Sequence, residues 1–479
     1  MQNIFYLNKI QMRKIAFISG LYYNERLLLY TSLLDRLKEN NISVDVYTTV
    51  KSTVAVSKEF QSEKFFNIKE IYLPTKIFTS LKKILNYSWD YYLKESKTKH
   101  IFSFEQNKDI DHSYKFIASI ISKLKLTKLF NSFVIFFISF YCHFFNKFDS
   151  QFLKNISKYD AVIFGWPYRD YNVLYANLCK KHKIPTIALI AGFDNITSKS
   201  RFLFKYDFYF AWSEQMINEM SYFYPYINTN KIFVIGNPQY ELLKIEKYKL
   251  PKNIFFNNLN LDSNRLTILY AMGTPNQFRE DYMLLDLLEK LNTCDFIDKV
   301  QFVVRPHPAF FDVQDWDSVI SECKFPVFVQ KVSERLTERD FPSVDSLKDW
   351  VNAVSHCDVL INAASTITFD AIYCKKPVIN VNYDLNTDEN TKRFITVQNS
   401  RYLHALLIVN SGAVHIVNST FDMINCISDF VSDYPKKYSE KEFERLHLLK
   451  KVCSLDFDID PLDNLISSIN KILNLGKKI

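Results

Sequence analysis

Two stretches decide the fold: Lys299-Val-Gln-Phe-Val-Val-Arg305-Pro-His307-Pro308, and Cys357-Asp-Val-Leu-Ile-Asn-Ala-Ala-Ser365-Thr366-Ile-Thr-Phe-Asp370-Ala with Lys376-Pro377-Val-Ile. Each opens on a short apolar run that ends abruptly in a polar or proline-bearing loop, and a segment of helical period follows. Runs this uniformly apolar are buried on both faces, which is the mark of a parallel sheet. Working outward, the same alternation gives strand 266–271, helix 279–292, strand 299–304, helix 346–356, strand 358–362, helix 366–374 and strand 377–381. The implied unit is a doubly wound α/β domain, whose ligands sit at the carboxyl ends of the strands.

A second series lies upstream. Lys14-Ile-Ala-Phe-Ile-Ser19, a helical stretch from Asn24 to Asn40 and Ser43-Val-Asp-Val-Tyr-Thr48 have βαβ spacing, and the alternation resumes at Asp160-Ala-Val-Ile-Phe164, Thr186-Ile-Ala-Leu-Ile190 and Asp207-Phe-Tyr-Phe-Ala-Trp212. Pro251 and the asparagine-rich run 253–264 read as a linker. The expected organisation is a Rossmann-like domain over 1–250 with a helical insertion at about 52–150, a second over 262–435, and helices over 436–479 that pack back across the first domain. Two such domains in tandem enclose a cleft.

Composition narrows the chemistry. The chain has 479 residues, about three times the ~150 of one ordinary domain. Only 7 are glycine, and neither glycine-rich phosphate loop, G-x-x-x-x-G-K-[ST] or G-x-G-x-x-G, is present. The net charge of +8 is spread along the chain, which suits anionic small molecules or an anionic membrane and argues against nucleic acid. Eight cysteines form no C-x-x-C, which argues against structural zinc and a disulfide framework and fits a reducing cytoplasm. The first residues lack the pattern of a signal peptide.

One run, Phe133-Val-Ile-Phe-Phe-Ile-Ser-Phe-Tyr-Cys-His-Phe-Phe145, is 13 residues long and falls short of the ~20 of a membrane-spanning helix. Two readings stand: a buried helix of the first domain, or an aromatic surface that enters a membrane interface beside Lys123, Lys125 and Lys128.

The loops after the strands carry the candidate chemistry. Two prolines bracket His307 and hold its imidazole over the cleft beside Arg305, a pairing suited to a diphosphate. Ser365 is expected to cap the next helix, so that its hydroxyl, that of Thr366 and the free N–H groups bind phosphate without a glycine loop. Gly273, followed by Thr274, ends the first strand of this domain and lets the backbone approach a ligand. Asp370, one turn after Thr366, either reaches a ribose hydroxyl or is an ordinary solvated or ion-paired residue. Two D-x-D spellings, Asp109-Ile-Asp111 and Asp456-Phe-Asp458-Ile-Asp460, follow no strand of a nucleotide-binding unit and are not read as metal sites.

Arg305-Pro-His307-Pro, Cys357 to Ala371 and Lys376-Pro377-Val-Ile together resemble the carboxyl-terminal half of GT-B glycosyltransferases that build bacterial surface polysaccharides. They are similar to the CDP-glycerol glycerophosphotransferases and the CMP-Kdo and CMP-sialic acid transferases, which share the His-Pro and Ser-Thr signature. The resemblance covers roughly 160–480 and is strongest over 300–381. It implies a GT-B architecture with a nucleotide-sugar donor held mainly by the second domain, where Arg305 and His307 would hold or protonate the donor phosphate and Ser365 and Thr366 would bind it at the helix end; Gly273, Thr274 and Asp370 are the donor-side candidates added by the residue reading. It also implies a glycan or lipid-linked acceptor against the first domain, no cofactor and no essential metal.

The loop Ala191-Gly-Phe-Asp194-Asn195 is similar to the family's Asp-Asn loop, which makes Asp194 the candidate general base, its pKa expected to rise through desolvation; the competing reading is an Asx turn. Gly236-Asn-Pro238 resembles the turn that closes the first domain. The implied activity is metal-independent sugar transfer to a surface polysaccharide or glycolipid, in the cytoplasm or at the inner face of its membrane. The alternatives are a CDP-polyol phosphotransferase, a GT-B-fold nucleotide-sugar epimerase and a non-catalytic nucleotide-binding scaffold.

Overall fold

The computed structural model describes residues 12–19, 22–48, 64–68, 75–95, 112–144, 149–199, 201–273, 278–307, 320–330, 343–385, 394–456 and 458–475. The first sheet contains β1 (Arg13–Ile18), β2 (Ile42–Thr48), β3 (Lys64–Asn67), β4 (Ala161–Phe164), β5 (Thr186–Leu189), β6 (Phe208–Ala211) and β7 (Ile232–Val234). Its order is β3-β2-β1-β4-β5-β6-β7, with every pairing parallel. All four residues of β4, of β5 and of β6 are buried, as their unbroken apolar spelling requires.

The second sheet contains β8 (Leu266–Ala271), β9 (Val300–Arg305), β10 (Val327–Val329), β11 (Val359–Asn362), β12 (Val378–Val381) and β13 (His415–Val417). Its order is β10-β9-β8-β11-β12-β13, again all parallel. In each sheet the order reverses beside the first strand, and the two sheets are the twin doubly wound units that the sequence implies.

Two expectations are corrected. The helix from Asn24 to Asn40 is two helices, Tyr22–Tyr30 and Leu33–Glu39. They part at Ser32, whose backbone N–H donates to the Glu241 carboxylate at 2.7 Å. The region 52–150 is not purely a helical insertion, because β3 extends the first sheet before the helices Thr75–Glu95, His112–Lys123 and Thr127–Phe144.

The domains are joined by directed contacts. Asn352 Oδ1 accepts from Leu250 N at 2.7 Å while its Nδ2 donates to Tyr248 O at 2.9 Å, so one buried amide fixes the chain where it leaves the first domain. Tyr240 stacks on Tyr373, and Phe193 meets Phe369 edge to face at 4.7 Å. Helix Glu442–Cys453 touches Glu214–Phe223 of the first domain and Ile367–Tyr373 of the second. The last helix, Asp463–Leu475, reaches Leu33–Glu39, where Arg36 pairs with Asp460 at 2.5 Å and Asp463 at 3.2 Å.

Candidate functional site

The carboxyl ends of β5, β8, β9 and β11 converge on a cavity of about 210 Å³ between the domains. Phe193 and Asp194 line it from the first domain, and Gly273, Glu280, His307, Ser365 and Thr366 from the second. Its placement follows from the topology, since parallel strands open their ligand crevice at this end.

The turn after β11 is held from behind. Ala364 adopts a left-handed φ of 44°, a conformation that costs a residue with a Cβ on the order of 1 kcal/mol. Asn380 Oδ1 accepts from Ala364 N at 2.5 Å, and Gln398 Nε2 donates to Ala363 O at 2.9 Å. Asn362 Nδ2 donates to Ser365 Oγ at 3.1 Å and to Thr368 Oγ1 at 2.9 Å. Two buried amides thus hold the backbone and a third holds the Ser365 and Thr368 hydroxyls, while Ser365 and Thr366 face the cavity. The N-cap position falls on Thr366 and not on Ser365, and Thr366 makes no side-chain cap. The reason is a tight first turn, in which Thr368 N bonds to Ser365 O and Phe369 N to Thr366 O.

At β8 the Gly273 N–H donates to Glu280 Oε2. A Cβ on residue 273 would sit 2.7 Å from that oxygen, so the glycine makes room for the Glu280 carboxylate while its backbone lines the cavity. Glu280 is 2% exposed, and Oε1 has no hydrogen-bond partner among the described residues. Burial pushes its pKa up to about 7, the Gly273 N–H opposing and Asp281 adding. Nothing in the sequence marks Glu280, because a glutamate in the first turn of a helix is commonplace.

His307 lines the cavity, and burial together with the Arg305 guanidinium pushes its pKa down to about 4, so the imidazole is neutral at pH 7. Arg305 is not among the cavity-lining residues, contrary to expectation. The residue is 9% exposed and its Nη1 donates to Gln330 Oε1 at 2.7 Å, beyond the end of β10. Asp370 is likewise drawn off: Trp350 Nε1 donates to its Oδ2 at 3.1 Å, and burial raises its pKa to about 6. Arg26 of the first domain lies over the Trp350 ring at 4.9 Å, so Asp370 sits at the domain junction and is not among the described residues that line the cavity. Thr274 and Pro308 lie outside the described residues.

From the first domain, Asp194 accepts hydrogen bonds from Ser198 Oγ and from Asn195 Nδ2 at 3.0 Å. The expected upward shift is absent. Burial does raise the pKa, but Lys199, His404, the Ser198 hydroxyl and a backbone N–H outweigh it and hold the carboxylate below its ordinary value. It is therefore ionised at neutral pH, facing His307 across one cavity. His404, which the sequence reading missed, also lines the cavity and packs against the Phe193 ring at 6.2 Å.

Of the D-x-D spellings, Asp109 and Asp111 lie outside the described residues. Asp456 pairs with Lys450 at 2.6 Å and Asp460 with Arg36, so these carboxylates serve the tail.

No family model matches the chain, and no curated protein matches its sequence. Solved structures match over nearly its full length. The UDP-GlcNAc 2-epimerase from Neisseria meningitidis bound to UDP-GlcNAc is 15% identical, covers 96% of this chain and 99% of its own, and superposes with a TM-score of 0.52. Another UDP-N-acetylglucosamine 2-epimerase is 11% identical over 98% and 97% of the two chains, with a TM-score of 0.51. A glycosyltransferase from Rickettsia africae is 14% identical over 98% and 99%, also with a TM-score of 0.51. The architecture is therefore GT-B: two Rossmann-like domains facing a cleft.

Proposed function

We propose that the protein is an enzyme of nucleotide-sugar chemistry, a glycosyltransferase that moves a sugar from its nucleotide donor to a surface polysaccharide or glycolipid. The observation that carries this reading is the cavity itself, which sets an ionised carboxylate of one domain, Asp194, against His307, Ser365 and Thr366 of the other.

In the reaction, Asp194 accepts the proton of the acceptor hydroxyl as its oxygen attacks the anomeric carbon, and the bond from that carbon to the diphosphate oxygen breaks. The hydroxyls of Ser365 and Thr366 and one N–H of His307 stabilise the departing phosphate charge. His307 is neutral in the empty cleft, and a phosphate brought against it favours its protonated form, so it acquires its acid character only with donor bound. Arg305 acts at one remove, through its field on the imidazole. Because side chains supply this stabilisation, no divalent metal is required. A CDP-polyol donor would use the same phosphate grip and leave CMP.

Glu280 supports a second reading, epimerisation of the bound nucleotide sugar. A buried carboxyl that titrates near neutrality can exchange a proton with a sugar carbon, and two of the similar structures are epimerases. NMR of a nucleotide-sugar panel incubated with the protein tests both. Nucleotide release that depends on an added glycan acceptor supports transfer, whereas conversion of the donor to an epimer without acceptor rejects it in favour of epimerisation. Binding with no turnover under either condition rejects both and leaves the non-catalytic scaffold.

A further inference from the structure

The helices His112–Lys123 and Thr127–Phe144 expose an apolar face with its own charge pattern. Along the second helix, Leu129, Phe133, Phe136, Phe140 and Phe144 recur at helical spacing, and between 53% and 69% of each residue is exposed. The opposite stripe, Thr127, Asn131, Val134, Ile138 and Cys142, is buried against the domain. This helix is amphipathic with its aromatic side turned outward. Phe116 and Ile120 of the preceding helix, and Leu124 between the two, extend the exposed face.

Between residues 112 and 144 the sequence carries four lysines and no aspartate or glutamate, a local charge of +4. Lys123 and Lys125, at the junction of the helices, are exposed. Lys128 is held by the protein, over the rings of Tyr92 at 5.9 Å and Tyr222 at 5.6 Å. Phe136 stacks on Phe140 at 6.4 Å and Phe140 meets Phe144 at 5.1 Å, so the exposed rings are ordered against one another before any partner arrives.

We propose that this face docks on an anionic phospholipid bilayer, its phenylalanines entering the acyl boundary and Lys123 and Lys125 meeting the headgroups. Charge complementarity selects the occupant: a face of aromatic and branched side chains, rimmed by lysine and with no carboxylate between residues 112 and 144, matches an anionic interface. By length and composition Thr127–Phe144 is also apolar enough to cross a membrane. The buried stripe decides between lying and spanning, because a helix sealed along one side to a folded domain lies in the plane of the interface. The docking goes beyond the proposed transfer reaction and does not depend on it.

Flotation of the full-length protein with vesicles tests the proposal, using phosphatidylcholine alone and a mixture of phosphatidylcholine with phosphatidylglycerol. The expected result is partition into the mixed vesicles. Phe133→Ser/Phe136→Ser/Phe140→Ser should lower it at least ~100-fold, given that burying one such side chain is worth roughly tenfold or more. Lys123→Gln/Lys125→Gln should lower it roughly 30-fold, at about 1 kcal/mol per lysine near an anionic surface. All five residues are exposed, and unchanged thermal unfolding will show that the variants fold. Wild-type protein that stays in the aqueous fraction with both vesicle types overturns the proposal. So does a concentration-dependent dimer abolished by the phenylalanine variant, which would assign the face to a second copy of the chain. Nucleotide binding, measured on the same samples by thermal shift, reads the cleft separately.

Discussion

Replacing Glu280 with glutamine removes one buried titrating group and keeps an oxygen for the Gly273 N–H. The carboxyl is raised from 4.5 in the unfolded chain to about 7 in the folded protein, chiefly by burial. At 1.36 kcal/mol per pKa unit this is on the order of 3 kcal/mol. The sign follows from proton uptake. A raised carboxyl binds its proton more tightly in the folded state, so its contribution is fully present below pH 4.5 and is lost as pH rises through about 7. His307 works in the opposite direction, its depressed pKa withdrawing stability as pH falls from 6.5 through about 4. The difference between wild type and Glu280→Gln cancels that effect. Urea unfolding of both proteins at pH 4.5 and pH 8 should show Glu280→Gln gaining on wild type by about 3 kcal/mol between those pH values. A difference that is flat with pH, to within ~1 kcal/mol, would refute the buried and protonatable Glu280 on which the epimerase reading rests.

Asp194→Asn should lower acceptor-dependent turnover about 10²- to 10⁴-fold while leaving the thermal shift by nucleotide intact; equal loss of both would remove the proposed division of labour. Thr366→Ala should weaken nucleotide binding about tenfold, with stability changed by no more than ~0.5 kcal/mol because its hydroxyl does not cap the helix. Binding at wild-type strength, by calorimetry with and without EDTA, would take Thr366 out of the phosphate site. Asp370→Ala leaves the Trp350 indole N–H buried without its acceptor and should destabilise the protein by about 1–3 kcal/mol at unchanged nucleotide affinity. A weakened affinity at unchanged stability would return Asp370 to the ligand.

The central strands were legible because short, mostly apolar runs of four to six residues followed by a helical period admit few other readings. The edge strands were not: β10 and β13 have three residues each, too few for a period to register. That gap accounts for one misplaced site residue. Arg305 ends a strand whose neighbour β10 was invisible in the sequence, and Gln330, just past β10, is what takes its guanidinium. Asp370 failed for a different reason. Residues four apart share a face only on a regular α-helix, and the tight bonds from Thr368 to Ser365 and from Phe369 to Thr366 shift the phase of the first turn. Thr366 then faces the cavity while Asp370 faces Trp350.

The run beginning at Phe133 shows what composition alone cannot distinguish. A helix buried in a core and one laid on a membrane both need an apolar stripe, and the spelling of 133–145 satisfies either. The decision lies in which stripe the domain takes. The domain takes the stripe of Asn131, Val134, Ile138 and Cys142, with smaller or branched side chains, and leaves Phe133, Phe136, Phe140 and Phe144 outside. Large aromatic side chains repay burial best, so a fold optimised only for its own core would have placed them inward. Their outward position, with lysines at the margin, links the surface to the cleft through one domain: the domain that carries Asp194, against which a lipid-linked acceptor would lie, is the one whose outer face suits a lipid surface.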